Sequence, residues 1–64
     1  MTLGPASQRV LNSLAYGHAR GVRDVVERLA KAGVRLDTDE VETQLLGLVE
    51  AGLVEAVGSG WRRR

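Results

Sequence analysis

The 64-residue sequence predicts a mainly α fold in which three helices are followed by a small β-hairpin. Apolar side chains recur with helical spacing at about residues 6–16, 21–32 and 38–51, and each segment ends beside a glycine. After Gly52 the pattern changes to a β-branched run, a glycine-rich turn and a second short run. Because the chain is too short for two cores, we expect residues 1–64 to form a single domain.

The first predicted helix begins at about Pro5, whose fixed φ suits a first turn, or at about Gln8, with Ser7 as its possible cap. Its apolar stripe is formed by Val10, Leu11 and Leu14. We expect this helix to end at Tyr16, because Gly17 can then take a left-handed closing conformation.

The second predicted helix has one apolar face and one charged face. The apolar face carries Val22, Val25, Val26, Leu29 and Ala30. On the charged face, Asp24 precedes Arg28 by four residues, and Glu27 precedes Lys31 by the same spacing. Each such pair stabilises a helix by about 0.3 kcal/mol. Gly33 is the predicted closing residue.

The third predicted helix has the clearest start, because Asp37 and Glu40 resemble a capping box. The buried face carries Val41, Leu45, Leu48 and Val49. The opposite face carries Asp39, Thr43, Leu46, Gly47 and Glu50. The helical spacing therefore predicts that Leu46 points outward while its neighbour Leu45 is buried.

The last predicted element is a hairpin over about residues 53–64. Residues 58–60 read Gly-Ser-Gly and can supply the positive φ that a tight turn needs. A two-stranded hairpin is marginal alone, so we expect Trp61 to anchor it on the helices. Short extended residues around Ala19 and Arg20 are a candidate third strand.

The order of these elements resembles the winged-helix form of the helix-turn-helix fold. The turn between the second and third helices, residues 33–36, has the length that helix-turn-helix units use. The most specific similarity is carried by Leu45, Leu48, Gly52, Leu53 and Val54. The resemblance covers about residues 7–64 and does not resolve one family, because MarR-like, ArsR-like and PadR-like regulators share it. It implies a small protein that binds double-stranded DNA in transcription regulation, with the third helix in the major groove and the hairpin, or wing, on the backbone.

The charges are unevenly distributed along the chain. The net charge is +4 over residues 1–36, −6 over residues 37–57, which contain no Lys or Arg, and +3 over residues 58–64. Phosphates are bound by Lys and Arg side chains or by neutral hydrogen-bond donors. We therefore expect the DNA contacts mainly on the wing and beside the helix-turn-helix. The candidate DNA-binding residues are Arg20, Arg23, Arg35, Thr38, Thr43, Gln44, Trp61, Arg62, Arg63 and Arg64. Unlike Arg28 and Lys31, the first three of these have no acidic partner close in sequence.

The acidic third helix also supports a different function, a protein interface or dimerisation surface. Leu46 lies away from the apolar stripe, and a glycine inside a helix costs about 1 kcal/mol relative to alanine. Close approach of a partner at Gly47 would account for that glycine. The candidate interface residues are Asp39, Leu46, Gly47 and Glu50.

Composition argues against several other classes of protein. The chain has no Cys, which favours a reducing cytoplasm, and no apolar run of membrane-spanning length. His18 is the only histidine, and no nucleophile-elbow or phosphate-loop spacing is present. So small a core leaves little room for a pocket of several hundred Å³. We therefore expect no enzymatic activity, cofactor, metal, membrane contact or small-molecule substrate.

Overall fold

A computed structural model describes residues 4–64 of the chain, so the first three residues of the predicted domain lie outside the described residues. The elements are α1 (Pro5–Asn12), α2 (Val22–Lys31), α3 (Thr38–Glu50), β1 (Val54–Val57) and β2 (Gly60–Arg63). This order confirms a mainly α fold with a small β-hairpin. Within residues 4–64, no helix combines the length and apolar character needed to cross a membrane.

The first helix ends at Asn12, four residues before the predicted end at Tyr16. The Ser13 hydroxyl donates to the Val10 carbonyl, 2.6 Å away, and closes the last turn. Leu14 is buried in the core although it lies beyond the end of α1. Its place in the predicted apolar stripe therefore reflects burial and not a longer helix. The predicted left-handed closure at Gly17 is wrong, because that glycine does not have a positive φ.

The predicted cap at Ser7 is also wrong, because α1 starts earlier. Gly4 occupies the N-cap position and Pro5 follows it in the first turn. The Ser7 hydroxyl instead donates to the Oε1 atom of Gln44, which joins α1 to α3. This contact turns Gln44 away from the solvent and leaves it half-buried.

The second and third helices begin and end within about one residue of their predicted limits. The Asp37 carboxylate accepts from the Glu40 backbone N–H at 2.8 Å, which confirms the predicted cap of α3. Both helices close through left-handed glycines, Gly33 (φ 84°) and Gly52 (φ 78°). In each case the residue after the glycine donates back to the helix, as in a Schellman motif: Val34 N–H to Leu29 O and Leu53 N–H to Leu48 O.

The core lies where the apolar faces of the three helices meet β1. Its buried side chains are Val10, Leu11, Leu14, Val25, Leu29, Val41, Leu45, Leu48 and Val54. Trp61 is half-buried against this cluster, which confirms its predicted role as the anchor of the hairpin. Ala30, predicted on the apolar face of α2, is exposed.

The hairpin pairs Val54 with Arg63 and Val57 with Gly60, leaving a two-residue turn. Gly58 alone in this turn has a positive φ, 59°, which is the pattern of a type II′ turn. The predicted third strand is reduced to a single antiparallel bridge between Arg20 and Trp61. Its two backbone hydrogen bonds, of 2.8 and 2.9 Å, tie the segment after α1 to the outer edge of β2.

Candidate functional site

Backbone hydrogen bonds hold the arginines at the end of β2 from both sides. The Arg63 N–H donates to the Ala15 carbonyl at 3.0 Å, and the Arg64 N–H donates to the Leu53 carbonyl at 3.0 Å. Both residues are therefore presented by ordered backbone rather than by a frayed end. Because this order is already present, binding through these side chains loses less conformational entropy.

The side chain of Arg63 stacks on an aromatic ring. Its guanidinium carbon lies 4.7 Å from the centroid of the Tyr16 ring, a cation–π distance. Tyr16 is 64% exposed although it is one of only two aromatic residues in the chain. We call Tyr16, Arg63 and Arg64 the cationic edge. Sequence reasoning missed Tyr16 because it was assigned to the end of a helix.

The third wing arginine, Arg62, has a partner across the hairpin. Its Nε–H donates to the Glu55 carboxylate, and the two residues are directly opposite in the β register. Both side chains are more than one-third exposed. Exposed pairs of this kind contribute about 0 to 1 kcal/mol. The pair therefore lowers the free positive charge of the wing, and a phosphate oxygen could compete for Arg62.

The prediction that Arg20 has no acidic partner close in sequence is wrong. Arg20 lies 3.5 Å from Asp24, and the same carboxylate accepts from Arg28 Nε at 3.1 Å. The Arg20 side chain is only 15% exposed. Its Nε atom is buried with no hydrogen-bond partner among the described residues. An unsatisfied buried donor costs about 1 to 3 kcal/mol.

The predicted partnership of Asp24 with Arg28 is confirmed. The predicted pair of Glu27 and Lys31 is not formed, since the ion pairs within residues 4–64 do not include either residue.

The remaining candidate DNA-binding residues occupy different environments. Arg23, Arg35 and Thr38 are exposed, and neither arginine forms an ion pair with any residue from 4 to 64. Thr43 is exposed, but its hydroxyl donates to the Asp39 carbonyl of the same helix at 2.9 Å. Trp61 and Gln44 are both half-buried: Trp61 packs against the core, and the Gln44 side chain accepts a hydrogen bond from Ser7.

The outward side of α3 has the composition that the sequence predicts. We call it the α3 face: Asp39, Thr43, Leu46, Gly47 and Glu50, all exposed. Leu46 is 56% exposed whereas Leu45 is fully buried, which confirms the predicted facing of the helix. A Cβ added at Gly47 would meet no atom within 4 Å. Nothing in the described chain therefore requires a glycine at this position.

A cleft of about 390 Å³ opens between α1 and α2. The sequence predicts little room for a pocket of several hundred Å³ in so small a core, and this cleft instead forms between elements rather than inside the core. Three arginines contribute to its lining: Arg9, Arg20 and Arg28. We call it the arginine cleft. In the part of the chain that the structure describes, no three His, Asp or Glu side chains are grouped as metal ligands.

Comparison of the chain with protein-family models, with curated proteins and with solved structures finds no match. The observed architecture is a helix-rich fold with a small β-hairpin.

Proposed function

We propose that this chain is a small winged-helix protein that binds double-stranded DNA through the cationic edge of its wing. The observation that carries the proposal is the Arg63 guanidinium stacked on the exposed Tyr16 ring, beside Arg64. Arginine held in one orientation contacts phosphate with less loss of side-chain entropy than a freely rotating base. The exposed and unpaired Arg23 and Arg35 are the additional phosphate contacts in this proposal.

The charge on α3 argues against deep insertion of this helix into the major groove. Four carboxylates on α3 are exposed: Asp39, Glu40, Glu42 and Glu50. The helix carries no Lys or Arg, and bidentate arginine contacts are the commonest specific readout of a base. The binding we propose is therefore mostly to the phosphate backbone, with weak dependence on DNA sequence.

The test is a titration of a labelled duplex of arbitrary sequence, repeated between about 50 and 200 mM salt. The affinity should fall steeply as salt rises, because each phosphate contact contributes about −0.9 to the slope of log K against log salt. The double variant Arg63→Gln, Arg64→Gln should flatten that slope by about two units. A single Arg62→Gln change should have a smaller effect, since Arg62 already pairs with Glu55.

The matched control is the double variant Arg9→Gln, Lys31→Gln. It removes the same formal charge from exposed residues that lie outside the cationic edge and form no ion pair within residues 4–64. The control should keep the wild-type slope to within about half a unit. Equal losses in the two double variants would mean that only net charge matters, and a flat response of the wild type would end the proposal.

A second candidate function is self-association through the α3 face, and the observation that favours it is Leu46 beside Gly47. An exposed leucine next to an open backbone position allows close contact by a partner. The acidic rim of this face fits a basic surface, which a second copy offers at its cationic edge. Such a contact joins different surfaces of the two copies and weakens as salt rises.

Gly47→Ala separates the effect of this glycine on helix stability from its effect on self-association. The substitution should raise the free energy of unfolding of the chain by about 1 kcal/mol, because alanine is the better helix former and the added Cβ meets open space. If the α3 face is an interface, the same change should weaken self-association at low salt. The average molecular mass measured by sedimentation should then rise less with protein concentration than it does for the wild type. A gain in stability with unchanged sedimentation would leave the α3 face without a role in self-association.

A further inference from the structure

The arginine cleft lies where the ends of α1 and α2 approach the segment that connects these two helices. Its polar lining consists of Arg9, Asn12, Ser13, Arg20 and Arg28. Its apolar lining consists of Leu14, Leu29, Ala32 and Val34. A volume of about 390 Å³ falls within the range of about 300 to 1,000 Å³ typical of ligand pockets.

The cleft has an excess of positive charge that the described chain does not neutralise. No carboxylate lines it, and the nearest acidic partner of its arginines, Asp24, is shared between Arg20 and Arg28. Arg9 forms no ion pair with any described residue. Three guanidinium groups thus face one carboxylate, and low-dielectric walls focus the resulting potential on an anion.

Stabilisation of the helix dipoles accounts for only two of the three arginines in the cleft. Arg9 and Arg28 lie in the last turns of their helices, where a base stabilises the helix dipole. Arg20 lies before α2, where its backbone is bridged to Trp61. Its 15% exposed side chain keeps an unpartnered Nε and a long 3.5 Å contact to Asp24. This half-buried guanidinium is therefore incompletely satisfied by the described residues.

Donors predominate in the polar lining as well. The Asn12 side-chain carbonyl accepts from Gln8 at 3.0 Å, which leaves the Asn12 amide N–H groups free to donate. Guanidinium forks match the two oxygens of a carboxylate. The apolar lining favours a ligand with a hydrophobic body, and at about 30 Å³ per water-sized group the cleft holds about a dozen non-hydrogen atoms.

We propose that the arginine cleft binds a small organic anion, a carboxylate attached to an apolar group. This site is separate from the cationic edge, so it does not depend on DNA binding. The test is a titration of the ¹⁵N-labelled full chain with benzoate, following backbone amide shifts. Shifts should concentrate at residues 9–14, 20 and 28–34. Benzyl alcohol, which has the ring without the charge, and inorganic phosphate, which has the charge without the ring, should each bind at least about tenfold more weakly.

Two matched variants complete the test. Arg9→Gln removes an exposed and unpaired lining residue, so the fold should be retained while benzoate affinity falls about tenfold. Arg23→Gln removes an equal charge outside the cleft and should leave the affinity unchanged. The proposal is overturned if benzoate fails to bind, if phosphate binds as tightly, or if the two variants weaken binding equally.

Discussion

Leu45→Ala is expected to lower the free energy of unfolding by about 2 to 5 kcal/mol. Leu45 is fully buried, and α3 packs its apolar face against both α1 and α2 through residues of this kind. The truncation leaves a cavity that so small a core can fill only in part. Since domains have about 0.05 to 0.15 kcal/mol of stability per residue, this loss is comparable to the whole stability of the chain. Urea denaturation followed by circular dichroism measures it.

The neighbouring substitution Leu46→Ala is the matched control. It removes the same atoms from a side chain that is 56% exposed, so the free energy of unfolding should change by less than about 0.5 kcal/mol. Equal destabilisation by the two substitutions would show that the outward facing of Leu46 is wrong, and the second candidate function would fail with it.

Gly60→Ala is expected to destabilise the chain by about 1 to 3 kcal/mol, since overpacking forces the backbone to move. A Cβ at this position would lie 3.0 Å from the Ala19 Cβ and 3.0 Å from the Arg20 carbonyl oxygen. The Arg20 backbone is fixed there by its bridge to Trp61, so it cannot easily withdraw. Thermal unfolding of the variant should show a lower midpoint temperature.

Gly17→Ala provides the comparison for this prediction. Gly17 lies with Ala19 and Arg20 in the segment that connects α1 to α2. It has no positive φ, and a Cβ added there would lie in open space. The free energy of unfolding of this variant should be unchanged or raised by about 0.4 kcal/mol, because alanine lowers the conformational entropy of the unfolded chain. A Gly60→Ala variant as stable as Gly17→Ala would contradict the close approach of this segment to β2.

The features that sequence reasoning anticipated depend on residues close together in the chain. The Asp37 cap, the glycine closures at Gly33 and Gly52, and the opposite facing of Leu45 and Leu46 each follow from spacing within a few residues. Such features are determined by local backbone geometry, which the sequence displays directly.

The features that it missed depend on contacts between distant residues. The helix α1 stops at Asn12 while Ala15 and Arg20 pair with the hairpin, and no local pattern announces that pairing. In the same way, Gln44 turns toward Ser7. The Tyr16 contact with Arg63 joins residues far apart in the sequence, so periodicity could not reveal it. The arginine cleft needs three segments to come together and is equally invisible along the chain.

We propose that the wing rather than α3 contacts DNA, and amide shift mapping tests that proposal most directly. An unlabelled duplex is added to the ¹⁵N-labelled chain at low salt, and the residues whose signals move are identified. We predict the largest changes at Tyr16 and residues 62–64, smaller ones near Arg23 and Arg35, and little change along residues 43–50. Changes centred on residues 43–50 with a silent wing would contradict the account.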